Sequence, residues 1–382
     1  MQTHQIHIKG DYSEAATEPF VAMRPDLILV FGDTRFFADG TLGQRLRKQN
    51  PATIIVGCST AGEMVNSAAV YQNTLVLTGV RFDGVQLHVS TTLLASADAS
   101  RTSGEALGLE LKKAGAASVF VIAPGHGING SDLVAGLGAV LGDSVVTTGG
   151  LAGDGSRFQQ TYTLFNETIE GNMIVALGFN GRIHVGYGSE GGWQAFGPDR
   201  LVTKAVSNVL YELDGRSALE LYKEYLGDKA KDLPASGLLY PFSIVQKDTK
   251  NSSGLIRTIL NVNEQDGSLT FAGDIPEGST VRLMHSKTAA LVDGAQQAGE
   301  LALSTSQGGG SDSLAILVSC VGRKLVMGDD VDDEVAVVKA AFGPRAMIAG
   351  FYSYGEIGAL GHGDKKTVLH NQTMTITYVR QV

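Results

Sequence analysis

Cysteine is nearly missing from this 382-residue chain. The two that occur, Cys58 and Cys320, lie far apart, so neither a disulfide framework nor a cysteine-rich zinc site can be built, and a reducing compartment is the simpler setting. The absence of a CxxCH sequence excludes covalent haem attachment. No apolar run approaches the roughly 18 residues of a membrane-spanning helix, and Met1 to Gly10 contains no apolar core of a secretory signal. The expected setting is therefore the cytoplasm. No block of Lys and Arg appears and the formal net charge is −9, so nucleic acid is not an expected partner. Catalytic signatures are missing too: there is no G-x-S-x-G elbow, no HExxH and no compact His-Cys-Asp arrangement. The expectation is a protein that is not an enzyme. With no kinase, cyclase or DNA-binding module on the chain, any signal must pass through a separate partner.

What is present is apolar sequence punctuated by glycine. Hydrophobic residues make up 43% of the chain and charged residues 18%, a composition that builds large cores rather than disorder. The length exceeds what one core usually supports, about 250–300 residues.

The sequence also resembles itself. Leu27 to Phe31, Ile54 to Glu63 and Leu75 to Leu77 form one set. Val119 to Ile122, Val145 to Asp154 and Ile174 to Leu177 form a second, and Leu314 to Val318, Ala346 to Glu356 and Met374 to Thr377 a third. Each set reads as a buried strand, a helix, a second strand ending in a Gly-rich corner that closes on a glycine and an acid, and a further strand. The first two sets continue to match through Asp83-Gly84 and Asn180-Gly181, both hairpin signals. The fold class expected is α/β with repeated strand-helix-strand units and mixed sheets. The domains expected are 1–205, holding units at about 20–90 and 115–190, and 206–382. Val206, Leu210, Leu213, Leu219, Leu221, Tyr222 and Leu226 predict helices broken at Asp214-Gly215. Leu255 to Leu283 reads as hairpin strands, Ser286 to Ser304 as an Ala-rich helix, and Gln307 to Ser311 as a loop.

Ile55-Val56-Gly57-Cys58-Ser59-Thr60-Ala61-Gly62-Glu63 resembles the motif of the FIST N-terminal domain. Asn208 to Leu219 resembles the segment leading into the FIST C-terminal domain. Gly350-Phe351-Tyr352-Ser353-Tyr354-Gly355-Glu356-Ile357-Gly358, followed by His370-Asn371-Gln372-Thr373-Met374, resembles that domain's closing motif. The one departure is Ala359, where a proline is frequent. The resemblance implies a sensory module of signal transduction that binds a small ligand, amino acids among those proposed. Gly191 to Pro198 resembles the free-standing members that look like haem-binding nitric oxide sensors controlling a histidine kinase. Haem, nitric oxide and a partner kinase are thus what the resemblance implies.

Candidate ligand contacts come from the corners. Glycine at a strand end lets backbone approach a ligand. Ser59, Thr60, Ser353 and Tyr354 offer hydrogen bonds, Glu63, Asp154 and Glu356 offer charge to an ammonium group, and Phe351 and Tyr352 offer apolar wall. Against this stands the plainer role of each acid as a cap on its own turn. Haem iron needs an axial side chain in an apolar slot, and His285, His184 and His370 are the candidates, each weighed against an ordinary core or surface histidine. His362 flanks a turn near the third corner. Gly125-His126-Gly127-Ile128-Asn129-Gly130 has a phosphate-loop spacing without the Lys-Ser/Thr or the later acid that nucleotide binding requires. Three functions compete: a haem-based gas sensor, a sensor of amino acids or similar polar ligands, and a hydrolase using Cys58. The last lacks an identifiable base, and both cysteines read better as small core residues.

Overall fold

The computed structural model describes residues 1–245, 254–306, 312–359 and 366–381. Its glycine-bounded apolar runs become the central strands of three six-stranded sheets, and the element order repeats three times. The first unit runs β1 (Gln2–Ile8), α1 (Glu18–Met23), β2 (Leu27–Gly32), α2 (Leu42–Gln49), β3 (Ile54–Ser59), the hairpin β4 (Glu63–Val65) and β5 (Ala69–Tyr71), then β6 (Leu75–Arg81). The second runs β7 (Val85–Leu93), α3 (Ser100–Lys113), β8 (Ser118–Ala123), α4 (Gly130–Leu141), β9 (Val146–Leu151), the hairpin β10 (Thr163–Phe165) and β11 (Thr168–Glu170), then β12 (Met173–Gly181). The third opens with β13 (Ile183–Glu190) and is interrupted at once by an insert.

The insert contains β14 (Gln194–Ala195), β15 (Arg200–Val206), β16 (Val209–Leu213), β17 (Arg216–Ser217), α5 (Ala218–Leu226), β18 (Phe242–Ile244), β19 (Leu255–Arg257), β20 (Ile259–Asn263), β21 (Ser268–Phe271) and β22 (Thr280–His285), which share one nine-stranded sheet apart from α5. The third unit then resumes with α6 (Thr288–Thr305), β23 (Ser313–Cys320), α7 (Val321–Met327), α8 (Val331–Phe342), β24 (Ala346–Ser353), the hairpin β25 (Gly355–Ala359) and β26 (Thr367–His370), and β27 (Met374–Gln381).

Each sheet takes four strands from one unit and a hairpin from another. The orders are β1-β6-β2-β3 with β10-β11, β7-β12-β8-β9 with β25-β26, and β13-β27-β23-β24 with β4-β5. The first unit is completed by the second, the second by the third and the third by the first. Side-chain alternation along the strands explains the layers. Leu27, Leu29, Phe31, Phe120, Ile122, Ile316, Val318 and Phe351 point into one shared core where the three sheets meet. Ile28, Val30, Leu42 and Leu46 turn the other way, under the first unit's helices. Leu107, Val119, Val121 and Leu137, with Ala298, Leu317 and Val338, do the same in the other two. Among the described residues no helix is long and apolar enough to cross a membrane.

Three sequence expectations change. Residues 206–213 are not helical: Val206 pairs with Val209 across a two-residue turn in which Ser207 has φ +54°, so the apolar residues belong to the hairpin of β15 and β16. The boundary expected at 205/206 falls inside that hairpin. And β13, within the expected N-terminal half, pairs along its length with the C-terminal strand β27. The expected loop at 307–311 and His362 lie outside the described residues.

Candidate functional site

Strand register fixes which residues are equivalent. Val30 pairs with Gly57, Val121 with Gly149 and Leu317 with Gly350. These glycines are required by close approach, since a Cβ would lie 1.9 Å from the Val30 carbonyl oxygen, 1.9 Å from that of Val121 and 2.3 Å from that of Leu317. Counting onward, Ser59, Leu151 and Tyr352 are equivalent, as are Ala61, Gly153 and Tyr354. These two sets make a closed ring of backbone hydrogen bonds between corners. The Ala61 amide donates to the Tyr352 carbonyl (2.8 Å), the Gly153 amide to Ser59 (2.9 Å) and the Tyr354 amide to Leu151 (3.3 Å). The three corners therefore do gather at one place.

Two of them seal themselves. The Thr60 hydroxyl donates to Glu63 Oε1 (2.6 Å) and the Thr74 hydroxyl to Glu63 Oε2 (2.7 Å). In the same relation the Ser353 hydroxyl donates to Glu356 Oε1 (2.7 Å), while the Thr373 amide and hydroxyl both donate to Oε2 (3.1 Å each). Both carboxyls are buried. Burial, opposed by these hydrogen bonds, pushes Glu63 up to about 7 and Glu356 up to about 8. Neither faces an open space, which corrects the expectation that they meet a ligand's ammonium group. Ser59 accepts from the Tyr162 amide (2.9 Å) inside the fold. Phe351 packs on Phe31 with ring centroids 4.7 Å apart, and the Tyr352 hydroxyl donates to Glu334 beneath the sheet. That Glu334 is one half of a buried ion pair with Arg323 (2.7 Å). Cys58 is buried in the shared core, and burial pushes its thiol well up, so no accessible nucleophile exists there.

The second corner is built differently. Thr60 and Ser353 have Ala152 as their equivalent, and the register partner of Glu63 and Glu356 is Thr163, not Asp154. Glu63 lies six positions after Gly57 and Glu356 six after Gly350, whereas Thr163 lies fourteen after Gly149. The extra length is the loop 155–162, and Asp154 holds its base. Its carboxylate accepts from the amides of Phe158 (2.9 Å), Gln159 (2.8 Å) and Gln160 (2.9 Å) and from the Tyr354 hydroxyl. Burial opposes ionisation of Asp154, yet these hydrogen bonds prevail and hold it below the usual carboxylate range.

This loop forms one wall of a cleft with a volume of about 910 Å³. Gly125, His126 and Ile128 form a second wall with Tyr354, and the insert closes the opposite side through Leu233, Leu238, Leu260 and Phe271. Leu325 of α7 completes it. Phe158, in the left-handed region at φ +52°, stacks on Tyr354 with centroids 4.5 Å apart and planes at 15°. His126 meets the edge of the same tyrosine at 5.4 Å. Its Nε2 is buried with no hydrogen-bond partner, and burial lowers its pKa, with Asp154 opposing. The imidazole is neutral at physiological pH, the form that accepts a hydrogen bond or ligates a metal. Phe158, Leu260 and Leu325 are 36%, 43% and 44% exposed, so three of the nine exposed large apolar side chains among the described residues meet in this one cleft.

Of the corner residues named from sequence, Tyr354 alone lines the cleft, with Asp154 directly behind it. Of the three histidines, His370 is buried, with Nε2 2.8 Å from the Ala359 carbonyl oxygen, and burial lowers it to about 4. His184 sits opposite Arg380 in the β13–β27 pair and lines neither this cleft nor its neighbour. His285 lines a smaller adjoining cavity of about 410 Å³. The sequence did not single out His126 as a cleft residue. Its glycine-flanked position after a buried strand was visible, but the cleft that gives it meaning is made by segments remote in sequence.

Comparison with known families places this arrangement. The FIST N domain matches residues 26–216 and the FIST C domain residues 218–359. Among solved structures, the crystal structure of cyanuric acid hydrolase from A. caulinodans is similar at a TM-score of 0.37 and 9% identity, covering 100% of this chain and 98% of that one. At that distance it carries no argument about this chain. Comparison with curated proteins finds no match.

Proposed function

Because this chain belongs to the FIST family, with the N domain followed by the C domain, we propose that it is a sensory protein whose ligand occupies the cleft between the opened second corner and the insert. The observation that carries this reading is His126: a buried nitrogen without a partner in the wall of a large, mostly apolar cleft. A buried polar atom left unpaired costs about 1–3 kcal/mol, and a ligand that meets it recovers that cost on binding.

The residues fit haem. His126 would hold the iron through Nε2 once its ring turns toward the cleft, since that nitrogen is enclosed as it stands, and Phe158, Tyr354, Ile128, Leu238, Leu260 and Phe271 would supply the aromatic and apolar enclosure. When bound, the iron would supply the site at which nitric oxide is sensed. The role of the chain's own groups is to hold the ligand. Asp154 organises the loop carrying Phe158 and fixes the Tyr354 hydroxyl, so the aromatic wall is set before the ligand arrives. Signal output passes to a partner histidine kinase in the cytoplasm, and the protein binds rather than turns over its ligand.

The test is reconstitution of the purified protein with haemin, with spectra taken before and after nitric oxide. The expected result is a Soret band that shifts with the gas in the wild type and in His184→Ala, which lines neither cavity, and is lost or displaced in His126→Ala. Failure to take up haem ends the haem reading. An unchanged spectrum in His126→Ala removes His126 as the axial residue.

A further inference from the structure

The smaller cavity opens beside the cleft, and Leu239 and Leu325 line both. Its character is different. Phe196 and Tyr240 supply aromatic wall, while the charged or titratable side chains lining it are His285 and Lys287, with no carboxylate among its lining residues. Lys287 is exposed and makes no ion pair among the described residues. Lys229, which lines the large cleft, donates to the Tyr240 hydroxyl and lies 4.7 Å from the centre of that ring, so another cation stands near the junction. The 18-residue α6 begins directly after Lys287 with no acid in its first turn and no side-chain cap, which adds potential of the same sign. A cationic recess on a chain of net charge −9 runs against the protein's overall field, and it focuses anions locally.

We propose that the two cavities form one elongated site for an amphipathic ligand, with the apolar body in the large cleft and a carboxylate end in the small cavity against Lys287 and His285. This rests on the cleft being the ligand site and adds the chemistry of the ligand's far end. The Ser286 hydroxyl donates to the Gly192 carbonyl (2.9 Å) and Phe196 meets His285 edge-on at 5.7 Å, so the segment bearing both basic residues is held in place. The only tryptophan, Trp193, packs against Met284 and Leu291 next to this segment, which makes its fluorescence a reporter of occupancy.

The experiment titrates protoporphyrin IX and its dimethyl ester into the wild type, Lys287→Gln and Phe158→Ala, reading quenching of Trp193. Metal-free porphyrin keeps the readout independent of iron ligation. The free acid is expected to bind the wild type about five- to tenfold more tightly than the ester, the size of one favourable charge-assisted contact. Lys287→Gln should erase the difference and leave ester affinity unchanged, and Phe158→Ala should weaken both. Because Lys287 is exposed, its substitution does not threaten the fold. Equal affinities in the wild type, or a preference that survives Lys287→Gln, overturn the carboxylate subsite and leave the cleft reading standing. If neither porphyrin binds, the shared site falls and both proposals go with it.

Discussion

The first and third corners are closed and the second is open, although all three grow from equivalent strand positions. Glu63 and Glu356 each lie inside a knot of hydroxyl and amide donors that their own corner and a nearby threonine provide. The second corner has Ala152 where the hydroxyl would be and a longer loop where the acid would be, and there the cleft forms. Internal repetition builds the frame, and the proposed ligand site lies where one copy departs from the pattern. A carboxylate repeated in a motif is thus poor evidence of ligand contact when the same motif supplies its donors.

The largest effect should come from what all three corners share. Gly57→Ala puts a methyl group 1.9 Å from the Val30 carbonyl oxygen, and it should cost about 3 kcal/mol or more, measured by urea unfolding. A loss below about 1 kcal/mol would mean that the strand pair accommodates the group. Next, Glu356→Ala strands the Thr373 amide in the interior and leaves the Ser353 and Thr373 hydroxyls only their longer bonds to the Ser319 carbonyl and the Thr375 hydroxyl, 3.2 Å each. A loss of about 2 kcal/mol is expected, with ligand affinity in the cleft unaltered. Reduced affinity at unchanged stability would return Glu356 to the site.

The closed corners also predict a pH response. Glu63 and Glu356 are raised to about 7 and about 8, so between pH 4.5 and 8 the folded chain holds more protons than the unfolded one. Stability contributed by these groups is complete below the unfolded carboxylate range and declines as pH rises toward 8. Two kinds of group act in the other direction: His370, lowered to about 4, with His7 and His126, also lowered by burial, add stability as pH rises toward the ordinary imidazole value, and Lys324, lowered to about 8 by burial, does so above pH 8. Thermal melts from pH 6.5 to 8, above the range where the histidines offset the carboxyls, should show the decline, and Glu356→Gln should make it shallower; a slope unchanged by that substitution would mean that Glu356 does not titrate there. The smallest change in stability belongs to the open corner. Phe158→Ala removes a partly exposed ring and should shift unfolding by less than about 0.5 kcal/mol while weakening porphyrin binding. A large loss of stability would make Phe158 part of the frame.

The sequence carried the repeat well where spacing was conserved. Gly57 to Glu63 and Gly350 to Glu356 are superimposable seven-residue stretches, and their lock is a Ser or Thr three residues before a Glu. It misled at Asp154, where glycine followed by an acid looks like the same ending, but strand register makes Thr163 the true counterpart. Val206, Leu210 and Leu213 have a helical spacing yet lie in a hairpin, Leu210 and Leu213 buried and Val206 exposed, and the turn at Ser207 decided between the two structures. The exchange of hairpins among units left no local trace, because each hairpin reads the same whichever sheet receives it. His126 gained its significance only from loops and an insert about 100 residues away in sequence.

That exchange of hairpins has a bearing on how the molecule can be divided. Severed near residue 217, the leading piece would keep β4-β5 with no sheet to join and leave the β9 side of its second sheet bare, since β25-β26 would be lost. The trailing piece would lack β13 and β4-β5, exposing both margins of its own sheet. Bare margins recruit other chains, so each piece made alone is expected to aggregate rather than stay a stable monomer.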